Sequence, residues 1–357
     1  MIRKILYKSC IYFSIFAFSY LAIVFSAIAY FSAPNRYHDT DKRFVIKKGM
    51  TLREVVEKLS EEKIVKHPTA FLYLSQLIKG KDLKVRYGEY FFEKNTSYYK
   101  ILKKMIHGYI FFRKVTIAEG FSVHTATAII SKASGLVGAM PNITEGSILP
   151  ETYFYSFNDT KASTVKRMKD AMTKTIDELW EKRDKSIPIK TKKQAIILAS
   201  IVEKETGTAG ERPMVASVFT NRLLRGMKLQ SDPTIIYSYA KGNRTLERTI
   251  RMSDIRNSSP FNTYYIYGLP PTPICNPGKA SIEAVLNPPK TQYLYFVANG
   301  YDKGHTFSKT LREHNANVTK YRNYIKKKRK EAEARAKAKL EAQNETKNKT
   351  IEENEEE

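Results

Sequence analysis

Apolar and polar positions along the chain change period several times, and each period predicts a different element. Residues 11–33, IYFSIFAFSYLAIVFSAIAYFSA, carry no charge over a length that suits one membrane-spanning helix. Arg3, Lys4 and Lys8 precede the run, which predicts a cytoplasmic N-terminus and a remainder outside the cytoplasm. Tyr12, Tyr20, Tyr30 and Phe31 are candidate interface anchors. A cleaved signal peptide is the competing reading, with Ala27-Ile28-Ala29 as its cleavage site; the length of the run favours an uncleaved anchor. Residues 34–43 are polar and predict a linker. A short strand at Phe44 to Ile46 follows, then a helix opened by Thr51 with Glu54 at capping-box spacing and striped by Leu52, Val55, Val56 and Leu59. The pattern continues with a helix from Pro68 to Ile78, a strand from Val85 to Phe92, a helix from Ser97 to Ile106 and a strand from Ile110 to Ile117.

The β-α-α-β order over 44–110 resembles a LysM-type wall-binding module. Residues 111–325 predict a mixed α/β domain, so the whole is α+β behind a single N-terminal membrane helix. Glu119-Gly120-Phe121 leads into a helix near Val123, and an aromatic loop at 145–155 carries Glu145 and Glu151. Helices are expected from Ala162 to Arg183 and from Glu211 to Arg225, the latter with Val215, Val218, Phe219 and Leu223 on one face. Residues 257–278, rich in proline and aromatics, predict a rigid loop wall. A helix from Lys279, two strands at Tyr293 to Ala298 and Gly304 to Phe307, and a helix over 309–325 complete the domain. The tail, 326–357, has almost no bulky apolar residue and predicts a solvated helix followed by disorder.

The stretch from Lys193 to Asp232 is where chemistry is expected. Drawn as a helix at about 100° per residue, Ile197, Leu198, Ile201 and Val202 share a face. Glu205 falls in the middle of that face, while Ser200, Glu203 and Lys204 fall opposite. A carboxyl among aliphatic side chains keeps its proton to higher pH, the property of a general acid. Two bland alternatives stand beside this: the helix frays before Glu205, or an arginine pairs with it.

The net charge of +25 and pI near 9.7 predict attraction to a polyanion, an anionic membrane surface or an acidic wall polymer, without choosing among them. Cys10 and Cys275 lie too far apart in the expected layout for a disulfide, and no paired-cysteine metal spacing occurs. Phosphate loops, dinucleotide fingerprints, HExxH and GxSxG are all missing from the sequence. Carboxylate chemistry with aromatic and amide groups remains, which suits carbohydrate.

The runs ASIVEKETGTAGERPMVASVFTNRL, LQSDPTIIY, FNTYYIYGLPPTPICNPG, YLYFVANG with GHTFS, and His314-Asn315 resemble the endolytic murein transglycosylases of the MltG (YceG-like) family. EGFSV and ILPETYFY fit the same pattern, and the resemblance covers about 44–325. It implies a membrane-anchored lyase facing the periplasm or outer surface that cuts nascent, uncrosslinked peptidoglycan strands internally. It implies Glu205 as the catalytic acid and base, with no metal or organic cofactor. Gln230, Asp232, Asn262, Tyr264, Asn276, His305 and Asn315 are implied as glycan-binding, and Glu203 and Glu211 as supporting. Wall synthases are the implied protein partners, and nucleic acid is not. Phe261 and Pro213 depart from the family pattern without touching Glu205. Two other classes compete. A wall-binding scaffold with vestigial machinery would be expected to lose the Glu203-Lys204-Glu205 run, which is intact. A membrane-tethered nucleic-acid binder would cluster its basic residues on one element, and here they are spread.

Overall fold

The computed structural model describes residues 2–80, 83–243, 248–300 and 304–355. The chain forms two compact units. The first comprises 1–115 with 133–138 and 154–160, and the second comprises 116–132, 139–153 and 161–357. Two short pieces of later sequence thus fold with the first unit, which a boundary drawn at a single point near residue 110 could not anticipate.

The first unit begins with helix α1 (Ile2–Ser32). Its segment Ile11–Ser32 has a mean hydropathy of 2.1 and is long and apolar enough to cross a membrane. Strand β1 (Lys42–Ile46), helices α2 (Leu52–Glu61) and α3 (Pro68–Lys79), strand β2 (Gly88–Phe92) and helix α4 (Tyr98–His107) follow. The Thr51 capping box forms as its spacing predicts, Thr51 and Glu54 each accepting from the other's backbone amide. β1 and β2 pair antiparallel, with Phe44 opposite Tyr90 and Lys42 opposite Phe92. Phe44, Ile46, Tyr90 and Phe92 are buried with Val55, Leu59, Ile101 and Met105 in one core. Phe31, expected at a membrane interface, is instead 2% exposed in this core, its ring 5.6 Å from Phe71 and 6.2 Å from Tyr98. The β2 strand is shorter at its start than its apolar pattern suggested, because only Gly88 onward reaches the β1 ladder. Arg113 closes the unit with a bidentate ion pair to the buried Glu89, both contacts at 2.7 Å.

Strand β3 (Arg113–Thr116) carries the chain into the second unit. There follow α5 (Val123–Lys132), β4 (Thr152–Tyr155), α6 (Lys161–Glu181), α7 (Lys192–Glu205), α8 (Arg212–Leu224), α9 (Asp232–Ala240), α10 (Met252–Ile255), α11 (Lys279–Leu286), β5 (Tyr295–Ala298), β6 (His305–Ser308) and α12 (Leu311–Glu355). α7 is the centre of this unit. It packs against α6, α8, α9 and α11. Ala195 and every residue from Ile197 to Glu203 are buried, while Lys193 and Lys204 are exposed. The polar side predicted from its sequence is therefore narrowed: Lys204 is exposed as placed, whereas Ser200, at 0% exposure, and Glu203, at 9%, are buried. Ser200 fits because its hydroxyl donates to the Ile197 carbonyl at 2.7 Å and accepts from the Ile274 amide at 3.0 Å. Leu198 is fully buried in the middle of this core. Leu198→Ala is expected to destabilise the second unit by about 3 kcal/mol, read as a lower denaturant midpoint.

β5 and β6 form an antiparallel hairpin with Phe296 opposite Phe307. α12 is helical to Glu355, past the point where disorder was expected. Its Lys, Glu and Ala content favours helix, and pairs such as Arg329–Glu333 at 2.8 Å add support along one face.

Candidate active site

α7 ends where its core packing ends. Thr206 caps it, its amide and hydroxyl both bonded to the Val202 carbonyl. Glu205 is thus held in the last turn of a fixed helix, half-buried, and lines a cleft of about 320 Å³. Arg222 from α8, Gln230 and Asp232 before and at the start of α9, Tyr264, Tyr295 and His314 share that cleft.

Burial dominates the electrostatics of Glu205 and pushes its carboxyl up to about 7. The nearby Asp232 carboxylate adds to the rise, while a hydrogen bond from Ser231 Oγ to Oε1 at 2.6 Å and the charge of Arg222 oppose it. Arg222 is not a partner that neutralises the acid. Its guanidinium is itself buried and donates to the carbonyls of Leu294 at 2.6 Å and Leu229 at 2.7 Å, and to Gln230 Oε1 at 3.3 Å. The arginine-pairing alternative for Glu205 thus has its cation close by but committed to backbone. Tyr264 donates to Asp232 Oδ1 at 2.6 Å, which ties the loop wall to the start of α9. Burial first, then that bond, raises the Tyr264 phenol, so it remains a neutral donor.

The remaining expected site residues divide sharply. Gln230, Asp232 and Tyr264 reach the cleft. Asn262 and Asn276 do not: both are fully buried. Asn262 Nδ2 donates to the carbonyls of Asp254, Ile255 and Asn257, and its Oδ1 accepts from the Tyr264 amide at 3.0 Å. Asn276 Nδ2 donates to Phe121 O at 3.0 Å and Oδ1 accepts from the Ile148 amide at 3.4 Å. These two asparagines fix loop shape, since a buried amide uses its hydrogen-bonding capacity on backbone that would otherwise be unpaired. His305 is also committed elsewhere. Its amide donates to Glu211 Oε1 at 2.7 Å and its Nδ1 lies 2.8 Å from Oε2. Burial alone would raise the Glu211 carboxyl, but the contacts with His305 outweigh it and hold it below the ordinary value. Glu211 therefore supports the hairpin through His305. Asn315 is exposed on α12, and its neighbour His314 lines the cleft in its place, stacked on Tyr295 at 5.2 Å.

Glu203 is the more enclosed of the two glutamates and is fully engaged. Oε1 accepts from Arg212 Nη2 at 3.0 Å and Oε2 from the Gly278 amide at 2.9 Å, while Arg212 also reaches Glu119 at 2.9 Å. This knot joins α7, the start of α8, the Glu119 turn and the start of α11. A second carboxyl raised by burial to about 7 is Glu145, but it accepts from the Val123 amide at 3.0 Å at the start of α5. It lines a different cavity, together with Ser147, Lys193, Ile196, Tyr237 and Pro273. Cys275 is free and buried, and burial pushes its thiol well above the ordinary range, so it is no nucleophile.

Sequence reasoning missed Arg222 and Ser231, and of the His314-Asn315 pair it gave the site role to Asn315. Arg222 had a signal: it falls seven residues after Val215, on the apolar face of α8, where a lone arginine marks a buried cation. Ser231 lies between two residues that were singled out, and nothing in its sequence context marks it.

A Bacillus subtilis protein named endolytic murein transglycosylase is 37% identical over 177 residues, which cover 50% of this chain and 48% of that one. One of the same name from Streptococcus pneumoniae serotype 2 is 27% identical over 324 residues, covering 78% and 58%. The chain thus spans about half the length of the curated relatives it matches. A solved YceG-like protein from Listeria monocytogenes is 27% identical, with 78% of this chain and 99% of that one covered and a TM-score of 0.47. The profile of the YceG-like family matches residues 44–320, from β1 into α12 and across both units, and the chain belongs to that family.

Proposed function

We propose that this chain is an endolytic peptidoglycan lytic transglycosylase that uses Glu205 twice. The observation that carries the reading is a single carboxyl, raised by burial to about 7, at the wall of a polar and aromatic cleft. In the first half, protonated Glu205 gives its proton to the oxygen of the MurNAc-β-1,4-GlcNAc bond, and the bond between that oxygen and C1 breaks. In the second, the Glu205 carboxylate takes the proton of the MurNAc C6 hydroxyl, whose oxygen bonds to C1. The products are a free 4-hydroxyl on GlcNAc and a 1,6-anhydro-MurNAc end; no water is consumed and Glu205 is again protonated. The transition state carries positive charge at C1, and the nearby Asp232 carboxylate is placed to favour it. Tyr264 and Gln230 offer a ring and an amide to sugar. No metal or organic cofactor enters either half.

The setting follows from the rest of the chain. α1 anchors the protein in the cytoplasmic membrane, with the chain after it on the outer side, where nascent uncrosslinked strands and the wall synthases that make them would be met. The β1-α2-α3-β2 unit serves as a LysM-like contact with the wall. Names of the relatives and membership of the family support the cleavage reading, and the length and hydropathy of α1 support the anchor.

The reaction starts from protonated Glu205, so kcat/KM is expected to fall as pH rises through about 7. The assay is strand cleavage by the full chain in detergent micelles across pH 5 to about 9. A rate that stays level across that range contradicts Glu205 as the acid. Glu145→Gln, which alters the other raised carboxyl, is expected to leave the same profile in place, with a rate within about three-fold of wild type.

A further inference from the structure

The residue that bonds to Glu205 is itself held in an unusual way. Ser231 is 1% exposed, and Thr234 and Thr263 are fully buried. The Ser231 amide donates to Thr263 Oγ1 at 2.9 Å, and Thr234 Oγ1 donates to the Ser231 carbonyl at 2.6 Å. The two threonine hydroxyls lie 2.9 Å apart, and the Thr263 amide donates to Thr234 Oγ1 at 3.2 Å. A hydroxyl has one proton to give. Thr234 gives its proton to the Ser231 carbonyl, so in the threonine pair Thr263 must be the donor. The hydrogen bonds then close into a ring with one direction, and both backbone polar groups of Ser231 belong to it.

That leaves the Ser231 hydroxyl proton, whose one acceptor is Glu205 Oε1 at 2.6 Å. The opposite arrangement, with Glu205 donating to Ser231, would strand the serine proton in a site closed to water, at a cost comparable to a lost hydrogen bond. The bend that aims Ser231 is also costly. Gln230 has φ +52, a conformation that residues other than glycine rarely adopt, and its amide is held by the Thr263 carbonyl at 3.1 Å.

We infer that Ser231 is a positioning residue for the acid: it makes Oε1 an acceptor in both protonation states, so the proton that reaches the sugar leaves from Oε2. The Thr234–Thr263 ring keeps Ser231 in place, and through it the 257–278 loop sets the orientation of a carboxyl on α7. Other groups that face Glu205 act through space: Asp232 from α9, Arg222 from α8, Tyr264 from the loop, Tyr295 from β5 and His314 from α12. Among the described residues only Ser231 is hydrogen-bonded to its carboxyl. This inference rests on the reading of Glu205 as the acid.

The test reads the carboxyl directly as well as the reaction. Infrared titration of the Glu205 carboxyl in the full chain, with Glu205→Gln as the subtraction blank, is run beside the pH profile of strand cleavage. A donor to a carboxylate favours the ionised form, so its loss raises the pKa. Ser231→Ala is expected to move both the titration and the alkaline limb of kcat/KM upward by about one pH unit, with a roughly ten-fold lower kcat. Ser231→Thr keeps the hydroxyl and is expected to stay within about 0.3 pH units of wild type. Thr263→Val breaks the ring without touching Glu205 and is expected to shift the titration in the same direction by less. A Ser231→Ala carboxyl that titrates where the wild-type carboxyl does overturns the inference, whether or not the chain cuts glycan. A titration that moves as expected in a chain that cuts nothing supports the hydrogen-bond assignment and overturns the cleavage reading alone.

Discussion

Glu205→Gln is expected to lower strand cleavage at least about a thousand-fold and, at the same time, to make the protein more stable above neutral pH. The first effect follows because glutamine can neither give a proton to the leaving oxygen nor take one from the C6 hydroxyl. The second follows from linkage. Burial holds the folded-state pKa of Glu205 near 7, above its value in the unfolded chain. As pH rises the unfolded chain releases that proton first, so the carboxyl lowers stability progressively from the ordinary glutamate range up to about 7 and keeps it lowered beyond. Glutamine does not ionise and still offers an oxygen to Ser231. At pH 8 the variant is expected to gain about 2 kcal/mol over wild type, with the gap narrowing toward pH 4. Denaturant unfolding at the two pH values measures it. A variant that is inactive and less stable at pH 8 would point to a structural role for Glu205.

Arg212→Ala should show the opposite pattern. Arg212 joins the buried Glu203 to Glu119 with contacts of 3.0 and 2.9 Å. Removing it leaves the Glu203 carboxylate enclosed with only the Gly278 amide at 2.9 Å, and an uncompensated buried charge of this kind costs about 3 kcal/mol. The loss spreads to each element that the knot joins, so thermal unfolding should come earlier. Glu203→Gln should cost less, because Arg212 keeps Glu119 and the amide still bonds to Gly278. In both variants the molecules that remain folded should keep substantial cleavage, because Glu203 points into the knot and Glu205 into the cleft. If Glu203→Gln abolished cleavage in folded protein while Glu205→Gln did not, the acid would lie two positions earlier.

Much of this site was legible before any coordinates, but partly for the wrong reason. The helical wheel chose Glu205 by assuming a helix with one apolar face, whereas α7 is buried on every side from Ile197 to Glu203 and exposes only lysines near its two ends. Glu205 nevertheless reaches the cleft, because it is the last residue of α7 and a buried helix can open onto a cleft at its end. Spacing alone could not show that Ser200 and Glu203 face inward, since their partners, Ile274 and Arg212, come from elsewhere in the chain. The same limit explains Asn262 and Asn276: a polar residue in a loop with aromatics suggests sugar binding, yet what decides its role is whether backbone carbonyls converge on it. Local signals did well where the physics is local, as at the Thr51 capping box and the apolar run of α1. Phe31 shows the boundary between the two cases, because its burial depends on rings 40 and 67 residues away, at Phe71 and Tyr98.

The most direct test of the central claim is mass analysis of the ends that the full chain makes from uncrosslinked glycan. The account expects 1,6-anhydro-MurNAc termini, produced by wild type and not by Glu205→Gln. Reducing MurNAc termini would mean that water closes the reaction, and strands left uncut would mean that Glu205 does no such chemistry; either result contradicts the account.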